Sequence, residues 1–476
     1  MSAKGFTRFP EPKNKKEEKM DTKRLTRREM LKLSGALAAG TLLAACAKPT
    51  PEVKEVTKVV KETVVVEVTP KPAPTKAPTP TPAPPAKDKI VVGMSRPLSG
   101  PLAIIGDSAF RPIYETWVPE VNAQGGVYLA EYGKKLPIET LIYDDKSDVG
   151  TAARLTEKLI LEDKVDGLWS SNSTAMIFAQ APIACKYDHL LLTFEGGATT
   201  IKDALPSLPY VFINLSFSDW YQLPVFADML AAKGVKTAFV TYIADLHGLE
   251  YSGVAGTEFG RVGIKILGNV SLPPDLKDFA LIIMEAKESG ADVFCCFGYP
   301  DQVMPVTGTA MALGYNPKAM IMGPGGNFGF YHTAFGPATE GICAFATFNR
   351  KQSPEMNALV DKLYGGKPED LQNGWGADLF WGALDFWKQA IEKTGTLDQK
   401  AVRDVFATEH FNTVLGDTYF TVFGNGGAFL AKESHRGEIG QWQNGILEVV
   451  GGGPWPNTKL TADFIYPKPA WPAPPK

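Results

Sequence analysis

This chain of 476 residues predicts an α/β architecture in which parallel sheets are flanked by helices. Two observations carry that expectation. From Asp88 onward, short β-branched and aromatic runs alternate with longer runs whose apolar residues fall at helical spacing. Such alternation implies parallel strands joined by helical crossovers. Ahead of it, residues 1–87 are basic, with one short apolar stretch and then a Pro- and Thr-rich segment that cannot bury a core. The remaining ~390 residues are enough for two domains with sizeable cores.

In chain order, buried parallel strands are expected at residues 90–94, 138–143, 167–170, 190–194, 237–242, 293–297 and 320–322. Each is a short apolar run bounded by turn-forming residues. Helices are expected between them at 151–162, 176–187, 221–233, 277–289 and 302–313, where apolar residues repeat at helical spacing. A late helix at 377–393 is followed by strand-like runs at 418–422 and 440–450. Phe380, Trp381, Phe386 and Trp387 share helical spacing on that late helix and read as core packing.

The N-terminal segment is an address and not part of the fold. Thr26-Arg27-Arg28-Glu29-Met30-Leu31-Lys32 leads into an apolar stretch at 33–45 that ends Leu43-Ala44-Ala45-Cys46. About 13 apolar residues fall short of the roughly 20 that span a bilayer, so the stretch reads as a signal-peptide core. It resembles a bacterial lipoprotein signal of twin-arginine type, although Met30 stands where Phe or Leu is commoner. The resemblance implies removal of 1–45, acylation of Cys46 and an extracytoplasmic protein anchored to the cell membrane. Residues 46–87, with the low-complexity run 70–85, then form a tether. At about 3.1 Å per residue in polyproline II, it could hold a domain up to roughly 100 Å off the membrane.

The part from Asp88 onward carries a net charge of about −12, which argues against nucleic acid as a partner. Its cysteines, Cys185, Cys295, Cys296 and Cys343, sit in apolar runs and read as buried thiols. Neighbouring Cys295 and Cys296 on one strand would face opposite ways. The five histidines show no metal-ligand spacing, and no nucleophile elbow, phosphate loop or dinucleotide fingerprint is present. Neither an enzyme nor a cofactor is expected.

A family can be recognised in an ordered set of motifs. Ile90-Val91-Val92-Gly93-Met94 is followed by Pro97-Leu98-Ser99-Gly100-Pro101 and Gly106-Asp107. Next come Asn122-Ala123-Gln124-Gly125-Gly126-Val127 and Tyr143-Asp144-Asp145, then Gly323-Pro324-Gly325-Gly326 and Gly440-Gln441-Trp442. This resembles the periplasmic binding proteins of the branched-chain amino acid type. The resemblance implies the two-lobed type I fold, with a hinge crossed three times, near Leu215, Phe348 and Leu415. Lobe 1 would then comprise 88–214 and 348–415, and lobe 2 would comprise 215–347 and 416–455. Residues 456–476 would be a Pro-rich tail. In function it implies a monomeric capture protein that closes on a small-molecule ligand and delivers it to an ABC permease in the membrane. A tethered sensor of the same fold is the alternative, and an exported enzyme folded around a cofactor is a third reading.

Ligands of such sheets gather beyond the carboxyl ends of strands, where helix N-termini offer unpaired N–H groups. Ser170-Ser171-Asn172-Ser173-Thr174 lies between an expected strand and helix, and an N-cap by Ser171 or Ser173 is also expected. The resemblance assigns Ser171, Asn172, Ser173 and Thr174 to a ligand carboxylate. It makes the loop after Phe194 a second wall, with Thr199 or, with a different gap, Gly197 in the place of a binding Thr or Ser. Glu195 is unusual there and could pair with a ligand amine or polyol, or with a nearby Lys or Arg. His247, where relatives commonly carry an aromatic residue, and Tyr299 would be the cover from lobe 2. Ile105 would add an apolar wall and Asn327 a polar one. Amino-acid-binding relatives commonly carry an acidic residue where Gly325 stands. Since a buried ammonium without a partner is costly, an α-amino acid is then a poor ligand unless Glu195 or Asp219 substitutes.

Overall fold

A computed structural model describes residues 86–194, 196, 200–214, 222–365, 376–434, 438–452 and 459–473. The signal, Cys46 and the tether up to residue 85 lie outside the described residues. Strands in chain order are β1 (Ile90–Arg96), β2 (Val127–Leu129), β3 (Lys134–Leu136), β4 (Ile138–Asp144), β5 (Gly167–Trp169), β6 (Leu191–Thr193) and β7 (Val211–Ile213). There follow β8 (Thr237–Ile243), β9 (Lys265–Leu272), β10 (Val293–Phe297), β11 (Ala319–Met322) and β12 (Ile342–Thr347). The last are β13 (Phe411–Thr413), β14 (Gly416–Thr418), β15 (Phe420–Val422), β16 (Ala428–Leu430), β17 (Glu438–Gln443) and β18 (Ile446–Gly451).

The principal helices are α1 (Arg111–Ala123), α2 (Val149–Leu161), α3 (Thr174–Lys186), α4 (Leu223–Ala232), α5 (Leu246–Arg261) and α6 (Ala280–Ser289). They continue with α7 (Pro300–Ala312), α8 (Gly329–Phe335), α9 (Pro354–Tyr364), α10 (Ala377–Thr394) and α11 (Gln399–Thr408).

Two seven-stranded sheets result, ordered β15-β16-β7-β6-β5-β1-β4 and β18-β17-β12-β11-β10-β8-β9. Five adjacent strands of each are parallel, β4-β1-β5-β6-β7 and β9-β8-β10-β11-β12, and β16 joins the first sheet in parallel as well. Antiparallel additions close one end of each, β15 in lobe 1 and β17 with β18 in lobe 2. The strands are nearly continuous apolar runs because both faces are covered by helices. Cys295 and Cys296 accordingly point into different apolar clusters, and all four described cysteines are free thiols.

The chain leaves the first sheet after β7 and returns after β12. Its third passage falls between Leu430 and Glu438, not near Leu415, because β15 and β16 still belong to the first sheet. Lobe 1 therefore reaches past 415, to Leu430. At the hinge, buried Gln352 Nε2 donates to Glu438 Oε1 at 3.1 Å, tying the second passage to the third.

The late helix α10 is lobe 1 core. Phe380 stacks on Phe194 with ring centroids 3.7 Å apart, and Trp387 meets the edge of Trp169.

The C-terminal stretch is not a loose tail. Over 459–473 it is strapped across lobe 2: Thr461 N–H donates to Val449 O, Lys468 N–H to Lys318 O, and Trp471 Nε1 to Tyr315 O. Lys468 is buried, with its ammonium 3.6 Å from the centre of the Trp471 ring and donating to Asn316 Oδ1 and Pro469 O. Burial pulls its pKa down from the usual lysine value to about 8. Because the folded value lies below the unfolded one, the unfolded chain holds more protons between about pH 8 and the ordinary lysine value. This residue's contribution to stability therefore rises with pH through that window. Lys468→Met is expected to raise the melting temperature at pH 7, with the gain shrinking by pH 10. A calorimetric scan at both pH values checks it, and a variant less stable at both would show that the ring and amide contacts outweigh desolvation.

Candidate functional site

In each sheet the strand order reverses direction at one place, β4-β1-β5 in lobe 1 and β9-β8-β10 in lobe 2. Loops leaving neighbouring strands diverge there and open a crevice at the carboxyl ends. The loops concerned are those after β1 and β5 on one lobe and after β8 and β10 on the other. Of the sequence-predicted residues, Asn172, Ser173 and Tyr299 fall on them, and His247 falls in the first turn of the helix that follows β8. Helices α3 and α5, which start beside these loops, pack against each other across the two lobes.

The lobe 1 wall is built from Ser170 to Thr174, all buried. Ser171 is committed internally: its hydroxyl donates to Asp145 Oδ2 at 2.5 Å and its N–H to Gln180 Oε1 at 2.8 Å. Ser173 takes the N-cap position of α3 with φ +83° and ψ +153°, yet makes no side-chain cap bond. The cap expected from Ser171 or Ser173 is therefore absent, because one hydroxyl is spent on Asp145 and the other does not turn to the helix. A non-glycine residue in that left-handed region costs on the order of 1–3 kcal/mol. Thr174 opens α3. Among the described residues, Ser170 Oγ and Asn172 Nδ2 have no hydrogen-bond partner. Gly196, from the loop after β6, completes the wall by close approach, since a Cβ there would lie 2.5 Å from the Ser173 carbonyl carbon and the Thr174 nitrogen. Its neighbours Glu195, Gly197 and Thr199, and likewise Asp219 and Trp220, lie outside the described residues.

Two buried charged residues behind this wall were not among the site residues expected from the sequence, although Asp145 belongs to one of the motifs. Asp145 accepts from Ser95 Oγ at 3.1 Å and Ser147 N–H at 3.0 Å as well as from Ser171. Burial holds its carboxyl above the ordinary range, against the pull of these donors and of Arg96. The Arg96 guanidinium donates to Ser170 O at 3.1 Å and lies 5.9 Å from both the Phe110 and Tyr114 ring centres. A charged residue closing an apolar strand, as in Met94-Ser95-Arg96, is the signal that could have marked it.

The lobe 2 wall brings His247 and Tyr299 together, with ring centroids 5.2 Å apart and planes at 22°. Asp245 organises both. Its Oδ1 caps α5 by accepting Gly248 N–H at 2.9 Å, and it hydrogen-bonds the Tyr299 side chain. Burial pushes the Tyr299 phenol well up, so it stays protonated. Burial also lowers the His247 pKa, with Asp245 and the Gly323 backbone acting the other way.

Asn327 does not join this set: its Nδ2 donates to Phe345 O at 2.9 Å and its Oδ1 accepts Gly325 N–H at 3.2 Å, so the amide braces the loop after β11. Trp442 holds the same loop through Nε1–H to Gly326 O at 2.6 Å. Gly325 has φ +138°, and a Cβ on it would sit 3.2 Å from Val303 Cβ and 3.4 Å from Pro300 Cα. An acidic side chain there would strain the backbone, because of the positive φ, and would push Val303 aside by a few tenths of an ångström. Ile105 is buried in the lobe 1 core. A cavity of about 350 Å³ lies between the lobes, lined by Pro101 and Leu102 from one and Ile243, Pro274, Tyr299 and Gln302 from the other. That volume suits a small organic ligand.

Two doubly wound lobes facing each other across a polar-and-aromatic cleft define a binding protein of the type I architecture. A profile of the family described as "Periplasmic binding protein" matches residues 89–436, so the chain belongs to that family, in its branched-chain amino acid type. The family comprises solute-binding proteins that serve ABC importers outside the cytoplasm, and not enzymes. The chain is 27% identical over 410 residues to the Leu/Ile/Val-binding protein homolog 7 of Brucella abortus (strain 2308), covering 81% of this chain and 96% of that one. It is similar in fold to the solute binding protein of an ABC transporter from Rhodopseudomonas palustris BisB5, solved with 3,4-dihydroxybenzoic acid. There the TM-score is 0.65 at 18% identity, over 79% of this chain and 99% of that one. Another neighbour is the branched-chain amino acid transporter substrate binding protein LivJ of Streptococcus pneumoniae with isoleucine, at TM-score 0.63 and 20% identity, over 76% and 100%. Among the described residues no helix is long and apolar enough to cross a membrane.

Proposed function

We propose that this chain is the capture component of an ABC importer, tethered outside the membrane through a lipid on Cys46. Its ligand is a small organic carboxylate, aromatic or hydroxylated, and not an aliphatic α-amino acid. Ser173 carries the reading: a strained, uncapped residue at the start of α3, beside the unpartnered Asn172 amide, leaves backbone and side-chain donors for an anionic group. The backbone conformation of Gly325 supports the exclusion of an ammonium, because a residue bearing a counter-charge would be strained at that φ. Neighbours of the same fold take both chemistries by name, isoleucine in one and 3,4-dihydroxybenzoic acid in another.

Ser173→Ala and Tyr299→Ala are each expected to weaken binding at least tenfold without unfolding the protein. The test is a thermal-shift screen of the domain from Asp88, with amino acids, aromatic acids, hydroxy acids and dicarboxylates, followed by calorimetric titration of the best compound against both variants. A ligand specific to the native state raises the melting temperature. If leucine or isoleucine wins, the exclusion of amino acids fails; if neither variant loses affinity, the cleft is elsewhere.

A further inference from the structure

His247 differs from the aromatic residue expected at its place in having two ring nitrogens, and the structure distinguishes them. The side chain is 8% exposed, and among the described residues its Nε2 has no hydrogen-bond partner. It hydrogen-bonds the Gly323 backbone, a bond that Nδ1 must therefore make. Gly323 N–H already donates to Cys296 O at 3.0 Å, so the group left to meet the ring is the Gly323 carbonyl. Nδ1 is then the protonated nitrogen. In a neutral imidazole the other nitrogen is a lone-pair acceptor, and burial keeps this ring neutral. An unpaired acceptor in a buried site costs free energy until something donates to it.

The ring lies between Tyr251, at 4.6 Å, and Tyr299, at 5.2 Å, and Tyr299 lines the interlobe cavity. The Tyr299 side chain is engaged by Asp245, and the Tyr251 hydroxyl donates to Gln222 Oε1. Neither neighbouring phenol proton is therefore committed to His247. We propose that His247 Nε2 accepts a hydrogen bond from an O–H or N–H on the ligand, so that the cleft selects carboxylates bearing such a donor over otherwise identical ones that lack it. The lobe 1 wall offers donors to the carboxylate, and His247 offers an acceptor from lobe 2. A site built to hydrogen-bond a ligand hydroxyl rejects the analogue lacking it strongly, because its own buried group is left unpaired.

This inference rests on the cleft reading above, and the experiment separates the two. Dissociation constants are measured for the pairs 4-hydroxybenzoate and benzoate, 3,4-dihydroxybenzoate and benzoate, and 2-hydroxyisocaproate and isocaproate, on the native protein, His247→Phe and Ser173→Ala. The expected result is a preference of at least tenfold for the hydroxylated member of one pair, falling to within about twofold in His247→Phe, which keeps the ring and removes the acceptor. Ser173→Ala should weaken both members of that pair alike. No tenfold preference in any pair overturns the proposal, as does a preference that survives in His247→Phe. If Ser173→Ala weakens neither member, the cleft reading falls instead. Nitrogen-15 NMR of the ligand-free protein gives an independent check: a protonated Nε2 would make His247 a donor and refute the assignment.

Discussion

Replacing Asp145 by alanine is expected to lower the stability of the domain from Asp88 by about 3 kcal/mol, the scale at which removing one member of a buried charged network is felt. The carboxylate has no exposed surface, and its two oxygens are the acceptors for Ser95 Oγ, Ser171 Oγ and Ser147 N–H. Alanine leaves these donors buried without that acceptor and takes away the negative charge facing Arg96. Because Ser171 is the residue before Asn172, losing its anchor also frees the loop that carries Ser173, and ligand affinity should fall with stability. Asp145→Asn keeps one carbonyl oxygen and should recover part of the loss. Urea unfolding of both variants measures the effect; a loss under about 1 kcal/mol in the alanine variant would mean that the serines find other acceptors and that Asp145 does not organise the wall.

Gly248→Ala is expected to abolish measurable binding, with at least a hundredfold loss of affinity and a stability cost of about 2–3 kcal/mol. A Cβ at this position would lie 1.9 Å from Ile243 O, a backbone atom at the end of β8 that cannot turn aside. The first turn of α5 must then lift off the strand, breaking the Asp245 cap and carrying His247 away from Tyr299. Gly253→Ala on the same helix is the control. Nothing lies within 4 Å of its Cβ, so it should stabilise the helix by about 0.5–1 kcal/mol and leave binding alone. Equal behaviour of the two variants would show that the close contact at Gly248 is not what positions His247.

The strands at the centre of both sheets were legible because burial on two faces leaves an unbroken apolar run. The edges were not. β9 alternates exposed and half-buried positions, with only Leu272 buried, and contains Gly268 and Asn269, so it lacks the signature of a core strand. Helix α5 carries Gly248, Gly253, Gly256 and Gly260, which mask its period although its packing on β8 requires one of them. β17 and β18 read as a single run because the only break is Asn444-Gly445, both with positive φ, in a tight hairpin turn. β15 and β16 were assigned to the wrong lobe, since nothing in three-residue strands says which sheet they join.

At the site, the residues chosen by type gather on the loops at the carboxyl ends of the two sheets, but residue type does not give each side chain's duty. Asn327 and Ser171 look like ligand contacts in sequence and turn out to be spent on the protein's own backbone and on Asp145. Arg96 and Asp145 act through pairings between loops distant in sequence, which no spacing reveals. Lys468 and Trp471 were hidden for a related reason: a Pro-rich segment that binds through isolated backbone and ring contacts has no period to detect.

The strap at 459–473 also bears on when the protein can fold. Lobe 1 needs β15 and β16 from residues 420–430, and lobe 2 needs β17, β18 and then the strap. Neither lobe is a contiguous stretch that could mature while the rest is still being synthesised, as N-terminal domains commonly do. The apolar edges of β12 and β7 must wait for partners encoded near the end of the chain. Neither sheet can therefore be completed until the strands from residue 420 onward have been synthesised.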